Sequence, residues 1–86
     1  MSSVLLAKYR EQIDALDAEI RAVLEERNNV VAAIQSVKKA EGIPIWDQAR
    51  VDEVIDGYVE ELGDVDGIRI ATAIIGTQEQ LEQLAE

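Results

Sequence analysis

Three cations, Arg10, Arg27 and Lys38, are the side chains of this sequence best suited to chemistry. Arg27 falls on the row set by Ile13, Ile20 and Ile34, where a repeat of seven calls for an apolar residue. Burying a guanidinium without a counter-charge costs on the order of several kcal/mol, so Arg27 must reach water, pair with an acid or meet an anionic ligand. Lys38 follows 11 residues later, which at about 100° per residue leaves it ~20° from Arg27 around a helix. Both cations then share a face. Arg10 precedes Arg27 by 17 residues, about 100° around and roughly 26 Å along the same helix, beyond reach of one pocket. In a dimer of antiparallel long helices, the Arg10 end of one chain would lie beside the Arg27 and Lys38 region of the other.

A second polar intrusion lies near the end of the chain. The stripe Ile68, Ala71, Ile75 continues at heptad spacing into Gln78 and Glu82, so a third helix would turn polar while facing inward. Burial there favours the neutral acid and nearby cations favour the charged one. Taken singly, each residue has a plainer explanation: a lone Arg or Lys on a helix is usually solvated. Gln78 and Glu82 could mark an exposed end, Val51 pack in a core, Asp47 cap a helix and Trp46 anchor a loop. Conjunction favours a site, because several polar exceptions fall on apolar seams in a chain with eight cations to place.

These residues need helices to hold them. No proline or glycine interrupts residues 3–41, and apolar residues recur at Ile13, Leu16, Ile20, Val23, Val30, Ile34 and Val37 in steps of three, four and, once, seven. One long helix follows, roughly 58 Å in length, too long for a compact domain of this size. Its far end must pack on something else, most simply a second copy of the chain. The segment Glu41-Gly42-Ile43-Pro44-Ile45-Trp46 stops that helix. Asp47 reads as the N-cap of a second helix to about Leu62, with Val51, Val54, Ile55, Tyr58 and Leu62 on one face. After the turn cluster 63–67, Asp66 or Asp64 is available to cap a third helix running to about Ala85. The expected fold is all-α, a single domain over 1–86, with one long N-terminal helix and two shorter ones in an intertwined dimer.

Composition narrows the chemistry. The 86 residues include no cysteine and no histidine, so thiol, imidazole and Cys/His metal sites are excluded. A net charge of −10 opposes binding to nucleic acid or an anionic membrane. Apolar runs such as 30–34 fall far short of the ~20 residues of a membrane span. With no signal-peptide apolar region at its start, the sequence reads as cytoplasmic. A chain this small buries only about 60% of its unfolded surface, a second reason to expect an oligomer.

The segment Tyr9-Arg10-Glu11-Gln12-Ile13-Asp14-Ala15-Leu16-Asp17, then Leu24-Glu25-Glu26-Arg27, Val37-Lys38 and Gly42-Ile43-Pro44-Ile45-Trp46-Asp47-Gln48-Ala49-Arg50, resembles the AroQ-type chorismate mutases. The resemblance spans nearly the whole chain, and Arg10, Arg27, Lys38 and Arg50 fall in step without a gap. It implies a homodimer of three-helix chains with two sites, rearranging chorismate to prephenate in aromatic amino-acid biosynthesis without cofactor or metal. Carried over, Arg10 of the second chain and Arg27 hold carboxylates, Arg50 joins the cationic wall, Lys38 donates to the ether oxygen and Asp47 helps hold the substrate hydroxyl. Since some members work well only when docked on a shikimate-pathway synthase, the resemblance brings in such a partner too.

Three positions depart from the family's pattern. Glu82 stands where Gln is common, although fungal members carry Glu there; to donate a hydrogen bond it must be protonated. Val51 stands where many mutases have a Glu, and Gln78 where a small hydroxyl residue is common. Isochorismate-pyruvate lyases share the scaffold and can be apolar at the position of Val51. Aminodeoxychorismate mutases and a non-catalytic dimerisation or regulatory module complete the alternatives.

Overall fold

The computed structural model describes residues 2–85, and they form helices without strands. Helix α1 spans Ser2–Glu41, α2 Gln48–Leu62, α3 Asp64–Ile75 and α4 Gln78–Leu84. The chain divides into two units, Met1–Val31 and Ala32–Glu86. In the first, α1 exposes Ile13, Leu16, Ile20, Val23 and Val30, the row that the sequence marks as apolar, while Leu24, Arg27 and Val31 are half-buried.

The second unit begins with the last turns of α1. Their closure follows from Gly42, whose φ of 69° lies in the left-handed region. The Ile43 N–H bonds the Lys38 carbonyl at 2.8 Å and the Gly42 N–H bonds the Lys39 carbonyl at 3.4 Å. These paired bonds form a Schellman closure, which satisfies carbonyls that a helix end leaves open. Lys38 and Lys39 occupy the last turn, complementing the helix dipole.

Asp47 caps α2 as the sequence predicts, its side chain accepting from the Arg50 N–H at 3.1 Å. Gly57 does not interrupt that helix. One residue, Gly63, separates α2 from α3, and the two helices pack closely. Val51, Val54, Ile55 and Tyr58 of α2 are half-buried, and on α3 Gly67 and Ala71 are buried.

Gly67 is where the helix pair comes closest. A Cβ there would stand 2.5 Å from the Val59 Cα and 2.7 Å from its nitrogen, backbone atoms that no rotamer change can move. Gly67→Ala is therefore expected to force α2 and α3 apart and to destabilise the protein by about 1–3 kcal/mol, the usual range for overpacking. Thermal unfolding checks this; an unchanged midpoint would show that the pair separates at no cost.

Two expectations for the third helix need correction. Neither Asp64 nor Asp66 caps it: Gly63 holds the N-cap position without a side-chain bond, and both acids lie in the first turn, where they suit the positive end of the helix. The helix also does not continue to Ala85. It stops at Ile75, Gly76 takes φ 80° and ψ −164°, and a new helix starts after Thr77. Such a backbone is strained for any residue with a Cβ. Thr77 and Gln80 then form a capping box, Thr77 Oγ1 accepting from the Gln80 N–H at 3.1 Å and Gln80 Oε1 from the Thr77 N–H at 3.0 Å.

Candidate functional site

Lys38 is the best-positioned of the candidate residues. It is half-buried, and its ammonium donates to the Ile45 carbonyl at 3.2 Å while its own carbonyl accepts from Ile43. Side chain and backbone of one residue thus hold the loop between α1 and α2. An ammonium has three donors, so the bond to Ile45 leaves capacity for a ligand oxygen.

The same loop presents Trp46 and Asp47. Trp46 donates its indole N–H to Gln48 Oε1 at 3.0 Å, and Gln48 Nε2 in turn donates to Asp52 at 2.9 Å. Asp47 is exposed and engaged as the cap. Arg50 points into solvent, its side chain 68% exposed, and pairs with Glu53 at 2.9 Å, the one ion pair among the described residues. An exposed pair three residues apart on a helix is worth little, so an anion can displace it readily.

An open cavity of about 280 Å³ lies between the first part of α2, the end of α3 and the start of α4. Trp46, Val51, Ile55, Thr72 and Ile75 supply its mostly apolar wall, with Gln78 at α4. Val51 and Gln78 are thereby brought to one space. Ile55, Thr72 and Ile75 went unassigned to a site in the sequence, although Val51 with Ile55 and Thr72 with Ile75 have the four- and three-residue spacings of single helix faces. Trp46, read there as a loop anchor, also lines the space.

Glu82 does not face inward as the continued stripe predicted, and Gln78 lines the cavity from an exposed position, because the break at Gly76 and Thr77 takes both off the α3 register. Both are exposed, and Gln78 Nε2 donates to Glu82 Oε1 at 3.0 Å, four residues apart on α4. On the unit 1–31, Arg10 is exposed and Arg27 half-buried. No ion pair engages either one among the described residues.

None of the four cations lines the cavity, and the chemistry they offer is anion recognition. Cations on α1 and α2 suit carboxylates, and the half-buried Lys38 suits an oxygen that gains negative charge. Among the described residues no helix is long and apolar enough to cross a membrane. No curated protein and no solved structure matches the chain. The description of one family, chorismate mutase type II, fits residues 9–76, a stretch that holds Arg10, Arg27, Lys38, Asp47, Arg50 and Val51 and ends before Gln78 and Glu82. With most of its length matched, the chain belongs to the chorismate mutase type II family.

Proposed function

We propose that the protein is a chorismate mutase, an isomerase that converts chorismate to prephenate in the cytoplasm. The observation that carries this reading is the family match over 9–76 with all four cations inside it. Two carboxylates must be drawn into a compact, chair-like arrangement, and arginine forks fix a carboxylate's direction as well as its position. Arg27, Arg50 and Arg10 of a second chain take that task. A carbon–oxygen bond then breaks as a carbon–carbon bond forms within the same molecule, and negative charge grows on the ether oxygen. Lys38 donates to that oxygen, where a preorganised donor counts most. Asp47 helps hold the ring hydroxyl, and Val51 and Gln78 complete the pocket.

A homodimer supports this arrangement. The row Ile13, Leu16, Ile20, Val23, Val30, Ile34 and Val37 is exposed throughout in the single chain, each residue 48–62% accessible. Such a row is the seam that a second α1 would cover.

Glu82 lies beyond the matched residues and is assigned as the second donor to the ether oxygen. An ionised carboxylate cannot donate and repels the developing charge, so only the protonated form helps. Glu82→Gln, which donates whatever the pH, is therefore expected to raise turnover of chorismate at neutral pH. An unchanged turnover removes Glu82 from this role.

One observation favours a second reading, an isochorismate-pyruvate lyase: Val51 places an apolar side chain on the cavity wall. Assay of the purified protein with chorismate and with isochorismate, with products separated by chromatography, decides between them. Prephenate from chorismate establishes the mutase. Pyruvate and salicylate from isochorismate alone transfer the assignment to the lyase. Turnover of neither, with or without a shikimate-pathway synthase, leaves the non-catalytic module.

A further inference from the structure

Among the described residues, a glycine joint and hydrogen bonds from two α1 side chains tie helix α4, with its half-buried Leu81, to the rest of its unit. The joint is Gly76, in a backbone conformation that residues with a Cβ rarely adopt. Thr77 and Gln80 satisfy the N-terminus of α4 from within, so nothing outside is needed to start it. Its C-terminus is different. Gln35 Nε2 donates to the Leu81 carbonyl at 3.3 Å, and Lys39 Nζ donates to the Ala85 carbonyl at 3.4 Å. These are carbonyls at a helix end, where partners must come from elsewhere.

The two bonds share one offset of 46 residues. Gln35 and Lys39 stand four apart on α1, as Leu81 and Ala85 do at the end of the chain, so α4 runs beside the last turns of α1 in the same sense. Both bonds are longer than the usual 2.9–3.0 Å. The latch is therefore weak enough to open, and it grips the element carrying Gln78 and Glu82. Lys38 lies between the two latch residues in sequence, so the same stretch of α1 that places the ether-oxygen donor also tethers α4.

We infer that Gln35 and Lys39 are positioning residues, which latch α4 to α1 and thereby hold Gln78 at the cavity and Glu82 where it acts. The inference rests on the mutase reading for its catalytic half, and on geometry alone for the latch. Gln35 and Lys39 lie within the residues matched by the family, and α4 lies beyond them.

Hydrogen exchange on the free protein and steady-state kinetics with chorismate test the two halves separately, using Gln35→Leu/Lys39→Met. Amides of residues 80–85 are expected to exchange about tenfold faster in the variant, with α2 and α3 unchanged. With chorismate, kcat is expected to fall about tenfold, with a smaller change in KM. Lys39→Arg, which keeps a cationic donor, is expected to retain wild-type behaviour. Should the double variant fail to fold, Lys39→Met alone, at an exposed position, is expected to show the same changes at smaller size. Unchanged exchange in α4 overturns the latch, and faster exchange with unaltered kcat overturns the positioning role. A wild-type protein inert toward chorismate overturns the mutase reading, while the exchange result still decides the latch.

Discussion

Lys38→Met is expected to lower kcat for the rearrangement of chorismate about 10²–10³-fold, the usual loss when one preorganised donor to a developing anion is removed. Methionine keeps the length and the apolar stem of lysine but offers no donor and no charge. The fold has one bond to lose in the exchange, from Lys38 Nζ to the Ile45 carbonyl, worth on the order of 1 kcal/mol. The backbone bond from Ile43 to the Lys38 carbonyl does not depend on the side chain and continues to close α1. Far-UV circular dichroism should therefore be unchanged, and the melting temperature should drop by about 4–8 °C. KM should move less than kcat, because the ether oxygen carries little charge before the bond breaks. A variant that retains wild-type kcat would remove Lys38 from the reaction. One whose loss of activity tracks a loss of helicity would make Lys38 a structural tether for the loop.

How much of this was legible in the sequence differs from helix to helix. Helix α1 could be read almost to the residue, because its apolar steps of three and four persist and Gly42 and Pro44 end it. Asp47 was equally clear, since a capping aspartate needs only its own neighbours. The end of α3 was misread for a physical reason: the heptad stripe through Ile75 suggests continuity into Gln78, yet the local chemistry of Gly76 and the box Thr77-Gln78-Glu79-Gln80 outweighs it. That signature was present and went unused. Gly67 illustrates what periodicity does not report, because its need for a bare Cα arises only from Val59 on the neighbouring helix.

The cations divide in the same way. Their presence in the sequence was plain, but their engagement was not, since Arg50 turns to Glu53 three residues on and a seven-residue pattern carries no information about that choice. Gln35 was invisible because its partner is a backbone carbonyl 46 residues away.

Arg27→Leu is expected to do two opposite things at once, and the combination separates ligand binding from scaffolding. If Arg27 grips a substrate carboxylate, its loss leaves that carboxylate desolvated without a partner. Truncating one side of such a pair costs about 2–5 kcal/mol, or roughly 30-fold to several thousand-fold in kcat/KM. Stability should move the other way. Arg27 is half-buried and stands on the row of Ile13, Ile20 and Ile34, where a leucine in a dimer seam removes apolar surface from water without the cost of desolvating a charge. For a chain of this size each kcal/mol gained corresponds to about 4–8 °C in melting temperature. The measurement is a pair: kcat/KM with chorismate, and thermal unfolding at fixed protein concentration, because a dimer's midpoint depends on concentration. A more stable and inactive variant places Arg27 in the site, at a position where function costs stability. A less stable variant that keeps its kcat/KM would make Arg27 a structural residue, and the anion would have to be held by Arg10 and Arg50 without it.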